Sequence, residues 1–203
     1  MIVLICGLMQ SGKTTVLSAV ARTLVNHKGL RVSALVSGGR ASAEIARGVR
    51  SHALEGSCVS CQLGAVLAET VQAIRSQEQP DVTLVELPAA AEVDAARQAL
   101  LHAPGLREQT VCTLVVVDAC APAPLHRALD HLFSAMVLAS DVLVLNRADR
   151  CSVADVDALL AEVSAISPCI RTGRMRESRG LAQHPTDCDN TLTPFAPLMP
   201  GRL

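Results

Sequence analysis

The residues most able to do chemistry stand near the start of the chain, in Gly7-Leu-Met-Gln-Ser-Gly12-Lys13-Thr14-Thr15. A glycine, a four-residue spacer and then Gly-Lys-Thr is a spacing that suits capture of a nucleotide polyphosphate. Glycine lets the backbone wrap an anion at φ values that other residues avoid. The amides of Gln10 to Thr14, Ser11 among them, would turn inward as an anion nest, reinforced by the positive end of the following helix. Lys13 would reach the β- and γ-phosphates, Thr14 would offer its hydroxyl to Mg²⁺, and Thr15 would contact the α-phosphate. Such a loop requires a strand before it and a helix after it. The apolar run Ile2–Cys6 and the helical spacing of Val16, Leu17, Val20, Ala21 and Leu24 supply both.

A second constellation, Asn146-Arg147-Ala148-Asp149, follows the apolar run Val142-Leu-Val-Leu. It looks like the Asn-Lys-x-Asp motif that reads guanine. A carboxylate at Asp149 can accept from both N1–H and the exocyclic amine of guanine, a donor pair that adenine lacks. Asn146 would tie this loop to the phosphate loop, and the stem and guanidinium of Arg147 would cover the purine face. The competing reading is a plain strand-to-helix turn, which Asn and Asp also make well.

Cys58 and Cys61 are spaced as two ligands of one soft metal ion, half of a tetrahedral Zn²⁺ set. Ser60 does not replace a thiolate, so other groups must complete the set. His52 six residues upstream, a second copy of the chain at a homodimer interface, or a client protein would each do so. A reactive thiol pair and two inert residues are the alternatives. Cys6, Cys112 and Cys120 lie in or beside apolar runs and read as core residues.

These groups need a scaffold. Strands are predicted at 2–6, 31–36, 82–86, 111–118, 141–145 and 169–172, most of them continuous Val/Ile/Leu runs of the kind buried on both faces. Helices are predicted from Lys13 onward and at 63–74, 92–101 and 125–138. A last helix is capped by Ser152, with Asp155 three residues on and a buried stripe of Val153, Val156, Leu159, Leu160 and Val163. Alternation of this kind implies an α/β fold: a mostly parallel sheet flanked by helices, the three-layer α/β/α arrangement of P-loop NTPases. One domain over 1–175 and an irregular, Pro-rich tail over 176–203 are expected.

Composition narrows the partners. The formal charge is −1, half the residues are hydrophobic, and Phe133 and Phe195 are the only aromatics. Nucleic acid is therefore not expected: no basic footprint and no stacking platform exists. No apolar run is long enough to span a bilayer and no basic leader precedes the first strand, so a cytoplasmic protein is expected.

The order of motifs resembles the CobW, HypB and UreG group of P-loop GTPases, and most nearly the GTPase domain of CobW-like proteins, without their carboxy-terminal domain. Beyond the phosphate loop, Gly56-Ser-Cys58-Val-Ser60-Cys61 is similar to that family's Gly-Cys-x-Cys-Cys element. Thr83-Leu-Val-Glu86-Leu-Pro-Ala89 is similar to its strand ending in Glu-x-x-Gly, and Val115-Val-Val-Asp118-Ala119 to its Val-Asp-Ala strand end. Ala165-Ile-Ser-Pro168 is similar to the Asn-Pro segment that follows the guanine motif. The resemblance implies a guanine nucleotide (GTP or GDP), Mg²⁺ and slow hydrolysis coupled to delivery of Zn, Co or Ni to a client metalloprotein. It places Glu86 near the water shell of Mg²⁺ and makes Lys13, Thr14 and Glu86 the catalytic set. Ala89 stands where the family has a γ-phosphate-sensing Gly. A structural carboxylate is the alternative for Glu86. An ATP-dependent small-molecule kinase and a non-hydrolysing, metal-bridged scaffold are the competing functions.

Overall fold

The structure, a computed structural model, describes residues 1–37, 45–54, 63–121 and 129–174. Strands and helices alternate along it. The first half holds β1 (Ile2–Cys6), α1 (Lys13–Lys28), β2 (Val32–Ser37), β3 (Arg50–Leu54), α2 (Leu63–Glu78) and β4 (Val82–Glu86). The second holds α3 (Val93–His102), β5 (Val111–Asp118), α4 (Asp130–Leu138), β6 (Val142–Asn146), α5 (Val153–Ile166) and β7 (Arg171–Arg174). A single 3-10 turn, Ala148–Arg150, joins β6 to α5. The proposed tail lies outside the described residues.

The seven strands form one sheet in the order β3-β2-β4-β1-β5-β6-β7, and every pairing is parallel. β1, β4 and β6 are buried along their whole length, because helices cover both faces and water reaches neither. Alternation within each strand divides the core. Val3, Ile5, Leu84, Leu114, Val116 and Val144 face the apolar stripe of α1: Val16, Leu17, Val20, Ala21 and Leu24. Ile2, Leu4, Val85, Val115, Val117, Leu143 and Leu145 belong to the other cluster, with apolar residues from α2, α3, α4 and α5. Handedness explains the unequal split. α1 leads from β1 toward the β3 edge, whereas each later helix leads toward β7, and right-handed crossovers in opposite directions lie on opposite faces.

One element is added to the sequence reading and two of its expectations are corrected. β3 was not foreseen: Arg50-Ser-His-Ala-Leu54 has no apolar period, and as an outer strand it is only partly covered. Val153 is 73% exposed and stands outside the buried stripe of α5, which is Val156, Leu159 and Val163. Cys120 is exposed, unlike the buried Cys6 and Cys112, because it lies beyond the end of β5.

Candidate functional site

Four strand ends meet at the carboxyl edge of the sheet. β1 runs into Gly7, β4 ends on Glu86, β5 on Asp118 and β6 on Asn146. Register sets them abreast: Ile5 pairs with Glu86, Cys6 with Val115 and Asp118 with Asn146. In open parallel sheets, ligand crevices form outside such ends. Here a cleft of about 420 Å³ is lined by Gln10, Gly12, Lys13, Thr14, Thr15, Glu86, Asp118 and Arg147.

The loop between β1 and α1 has the backbone that its glycines permit. Gly12 sits at φ 90, and a Cβ there would collide with the side-chain amide of Asn146. A Cβ at Gly7 would collide with the carbonyl of Val116. α1 begins without a side-chain cap and without an acid in its first turn. Its first amides therefore face the cleft uncompensated, and the positive end of the helix adds to their pull on an anion. α5 is different, since Ser152 Oγ accepts from the Asp155 amide at 3.2 Å. Ser11 Oγ is buried and makes no hydrogen bond within the described structure, an unmet polar atom of the kind a bound ligand or water satisfies.

Lys13 Nζ donates to the carbonyls of Gly7 at 3.0 Å and Leu8 at 3.1 Å. Burial holds its pKa below the ordinary lysine range, and the Glu86 carboxylate works the other way. Thr14 Oγ1 lies 3.1 and 3.0 Å from the two oxygens of Glu86 and donates to that carboxylate. The hydroxyl and carboxylate thus converge within reach of one hard cation of Mg²⁺ type, which takes oxygen ligands of this kind directly or through water.

Glu86 is 5% exposed, and burial pushes its carboxyl above the ordinary range against the opposing Thr14 bond and Lys13 charge. The sign of its pH effect follows. An acid whose folded-state pKa is raised costs no stability while protonated. The protein loses stability as pH climbs from the unfolded pKa through the folded one. Glu86→Gln should therefore flatten the fall in Tm from acid toward neutral pH. It should also raise the ligand-free Tm at pH 7. A lower Tm at neutral pH would show that the Glu86 charge is stabilising.

On the opposite wall, Asn146 Nδ2 donates to the Ser11 carbonyl at 2.9 Å, and its Oδ1 accepts from the Arg147 amide at 3.0 Å. Arg147 takes a left-handed φ of 59. Its guanidinium donates to Asp118 at 2.5 Å and to the Gln10 carbonyl at 3.3 Å. Asp149 follows, exposed, in the 3-10 turn.

The structure thus gathers Gly7, Gln10, Ser11, Gly12, Lys13, Thr14, Thr15, Glu86, Asn146 and Arg147 around one cleft, with Asp149 in the turn beside it. Asp118 is the member that the site reading missed. Its sequence signals are its place at the end of a buried strand and the Val-Asp-Ala resemblance there, neither of which points to a partner. Cys58 and Cys61 lie outside the described residues. His52, a candidate third ligand for that pair, has Nε2 2.9 Å from Glu78 Oε1. Burial works to raise the Glu78 carboxyl, but bonds from Ser33 and His52 with the charge of Arg50 lower it on balance. Ala89 is not among the left-handed non-glycine residues, which in the described structure are Gln10, Gln79 and Arg147. Alanine is thus compatible with this backbone.

A family model described as "CobW/HypB/UreG, nucleotide-binding domain" matches residues 1–172. No curated protein sequence matches significantly. Among solved structures, the hydrogenase maturation factor HypB from Archaeoglobus fulgidus aligns with TM-score 0.59 and 15% identity over 86% of this chain and 80% of its own. HypB from Helicobacter pylori in complex with nickel aligns with TM-score 0.57 and 14% identity over 88% and 79%. The Zn(II)-bound YjiA GTPase from E. coli aligns with TM-score 0.57 and 18% identity over 94% of this chain but only 61% of its own length. At these identities the likenesses establish the fold. No described helix is long and apolar enough to cross a membrane.

Proposed function

We propose, from the premise that this chain belongs to the CobW/HypB/UreG family, that it binds guanine nucleotide with Mg²⁺ and hydrolyses GTP slowly. The observation that carries this reading is the bond from Asn146 to the Ser11 carbonyl. It joins the guanine-type loop to the phosphate nest, so one ligand with both a base and a polyphosphate fits both.

The chain's own residues would work mostly by position and charge. The amides at the start of α1 hold the phosphate oxygens. Lys13 exchanges the Gly7 and Leu8 carbonyls for the β- and γ-phosphates. Thr14 and Glu86 would hold Mg²⁺, the carboxylate through water, and the ion when bound would neutralise charge on the phosphoryl oxygens. Asp149 would read the base.

The metal-trafficking or metalloenzyme-maturation side of the proposal draws on the nickel-bound and zinc-bound structural neighbours. It also draws on the spacing of Cys58 and Cys61. A client metalloprotein and a homodimer sharing Zn, Co or Ni through that pair belong to the same proposal.

Competition between GDP and ADP tests the nucleotide. The parent should prefer GDP strongly, and Asp149→Ala should lose about a hundredfold of that preference, since the guanine donor pair is left without its charged acceptor. Equal affinity of the parent for ADP would sink the reading and favour an ATP-dependent enzyme.

A further inference from the structure

Two cysteines outside the Cys58/Cys61 pair lie side by side at the rim of the cleft. Cys120 Sγ is 2.8 Å from Cys151 Sγ. Register, not chance, brings them there: Asp118 pairs with Asn146, and the Ala119 amide donates to the Asn146 carbonyl at 3.0 Å. The turns leaving β5 and β6 are therefore stacked. The Asp118 carboxylate accepts from the Cys120 amide at 3.0 Å and fixes the first turn. Both sulfurs also approach one acceptor, the Arg147 carbonyl, at 3.5 Å for Cys120 and 3.8 Å for Cys151. Cys120 is exposed and Cys151 half-buried, so a dissolved reagent reaches the first.

We propose that Cys120 and Cys151 are a dithiol site for low-molecular-weight disulfides of the glutathione type, closing to a disulfide that staples the loop bearing Arg147 and Asp149. The Cys120 thiolate attacks one sulfur of the small disulfide and releases one small thiol. The Cys151 thiolate then attacks the Cys120 sulfur and releases the second. The two protein thiols lose two electrons and two protons, and the small disulfide is reduced to two thiols. A four-sulfur metal set is a poorer match, because thiolates around one ion repel and stand farther apart than these sulfurs do. Among the described residues no third His, Cys, Asp or Glu completes a metal-binding group here.

The test is incubation of the whole chain with oxidised glutathione, followed by peptide mapping. A Cys120–Cys151 crosslink is expected. It should raise Tm by about 5–10 °C through loop closure, and Cys169→Ser should leave this unchanged while Cys151→Ser abolishes it. A mixed disulfide left at Cys120, or free thiols at both positions, would overturn the proposal. The effect on ligand rests on the nucleotide reading: GDP release should slow about threefold or more as the loop is preorganised. An unchanged release rate in crosslinked protein overturns the staple's link to the ligand. Protein that binds no GDP in either form refutes the nucleotide reading instead, and the crosslink and Tm still decide the dithiol.

Discussion

Lys13→Met should weaken binding of GTP with Mg²⁺ at least about a hundredfold, a loss near 3 kcal/mol, as expected when a charge-assisted bond to phosphate is removed. The ammonium rests on the carbonyls of Gly7 and Leu8, at the mouth of the amide nest. Those carbonyls hold it in line with the position of a phosphate, so little reorganisation is needed on binding. The same variant should fold well. Methionine keeps most of the packed stem, and removing a cation whose pKa burial has already lowered relieves desolvation. Isothermal calorimetry for affinity and a thermal melt for folding separate the two effects. Retention of affinity within threefold of the parent would mean that the phosphates lie elsewhere.

Gly12→Ala should do damage of another kind. The new methyl would occupy the place of the Asn146 amide, on a residue held at φ 90. Either Asn146 leaves the Ser11 carbonyl or the loop opens away from β6. Both routes break a buried hydrogen bond and strain the backbone, so a loss of about 2–4 kcal/mol in stability is expected. For a domain of this length that is roughly 5–15 °C in Tm. Gly29, the carboxyl cap of α1, supplies the control. It is also left-handed, at φ 62, but a Cβ there meets nothing within 4 Å. Gly29→Ala should cost only about 1 kcal/mol of conformational strain. Equal losses in the two variants would show that crowding against Asn146 contributes nothing.

Much of this architecture was legible from residue types. The runs at 2–6, 82–86 and 111–118 become strands over those same residues, because uninterrupted β-branched and leucine runs suit strands covered on both faces. The strand expected at 31–36 and the one at 141–145 each moved by a single residue, to Val32–Ser37 and Val142–Asn146. α2 runs on to Glu78 beyond the expected 74, since its last turn is polar and gives no apolar signal. β3 could not be read, because its identity depends on β2 lying beside it. The cleft shows the same boundary. Gly7, Gly12, Lys13 and Thr14 carry their chemistry in local spacing, and Asn146 carries a recognisable motif. The bond between Arg147 and Asp118 joins residues 29 apart in sequence, and only the β5–β6 register makes them neighbours. Cys120 reads as a core residue because it adjoins an apolar run, but it lies two residues past the end of that strand and is exposed.

Among the described residues, the outer strands of the open sheet are β3 and β7. Exposed Arg50 stands on one and exposed Arg171 on the other. A charged residue on an outer strand discourages a neighbouring molecule from extending the sheet by strand addition. Association of copies through these outer strands is thereby disfavoured relative to association through helices or loops.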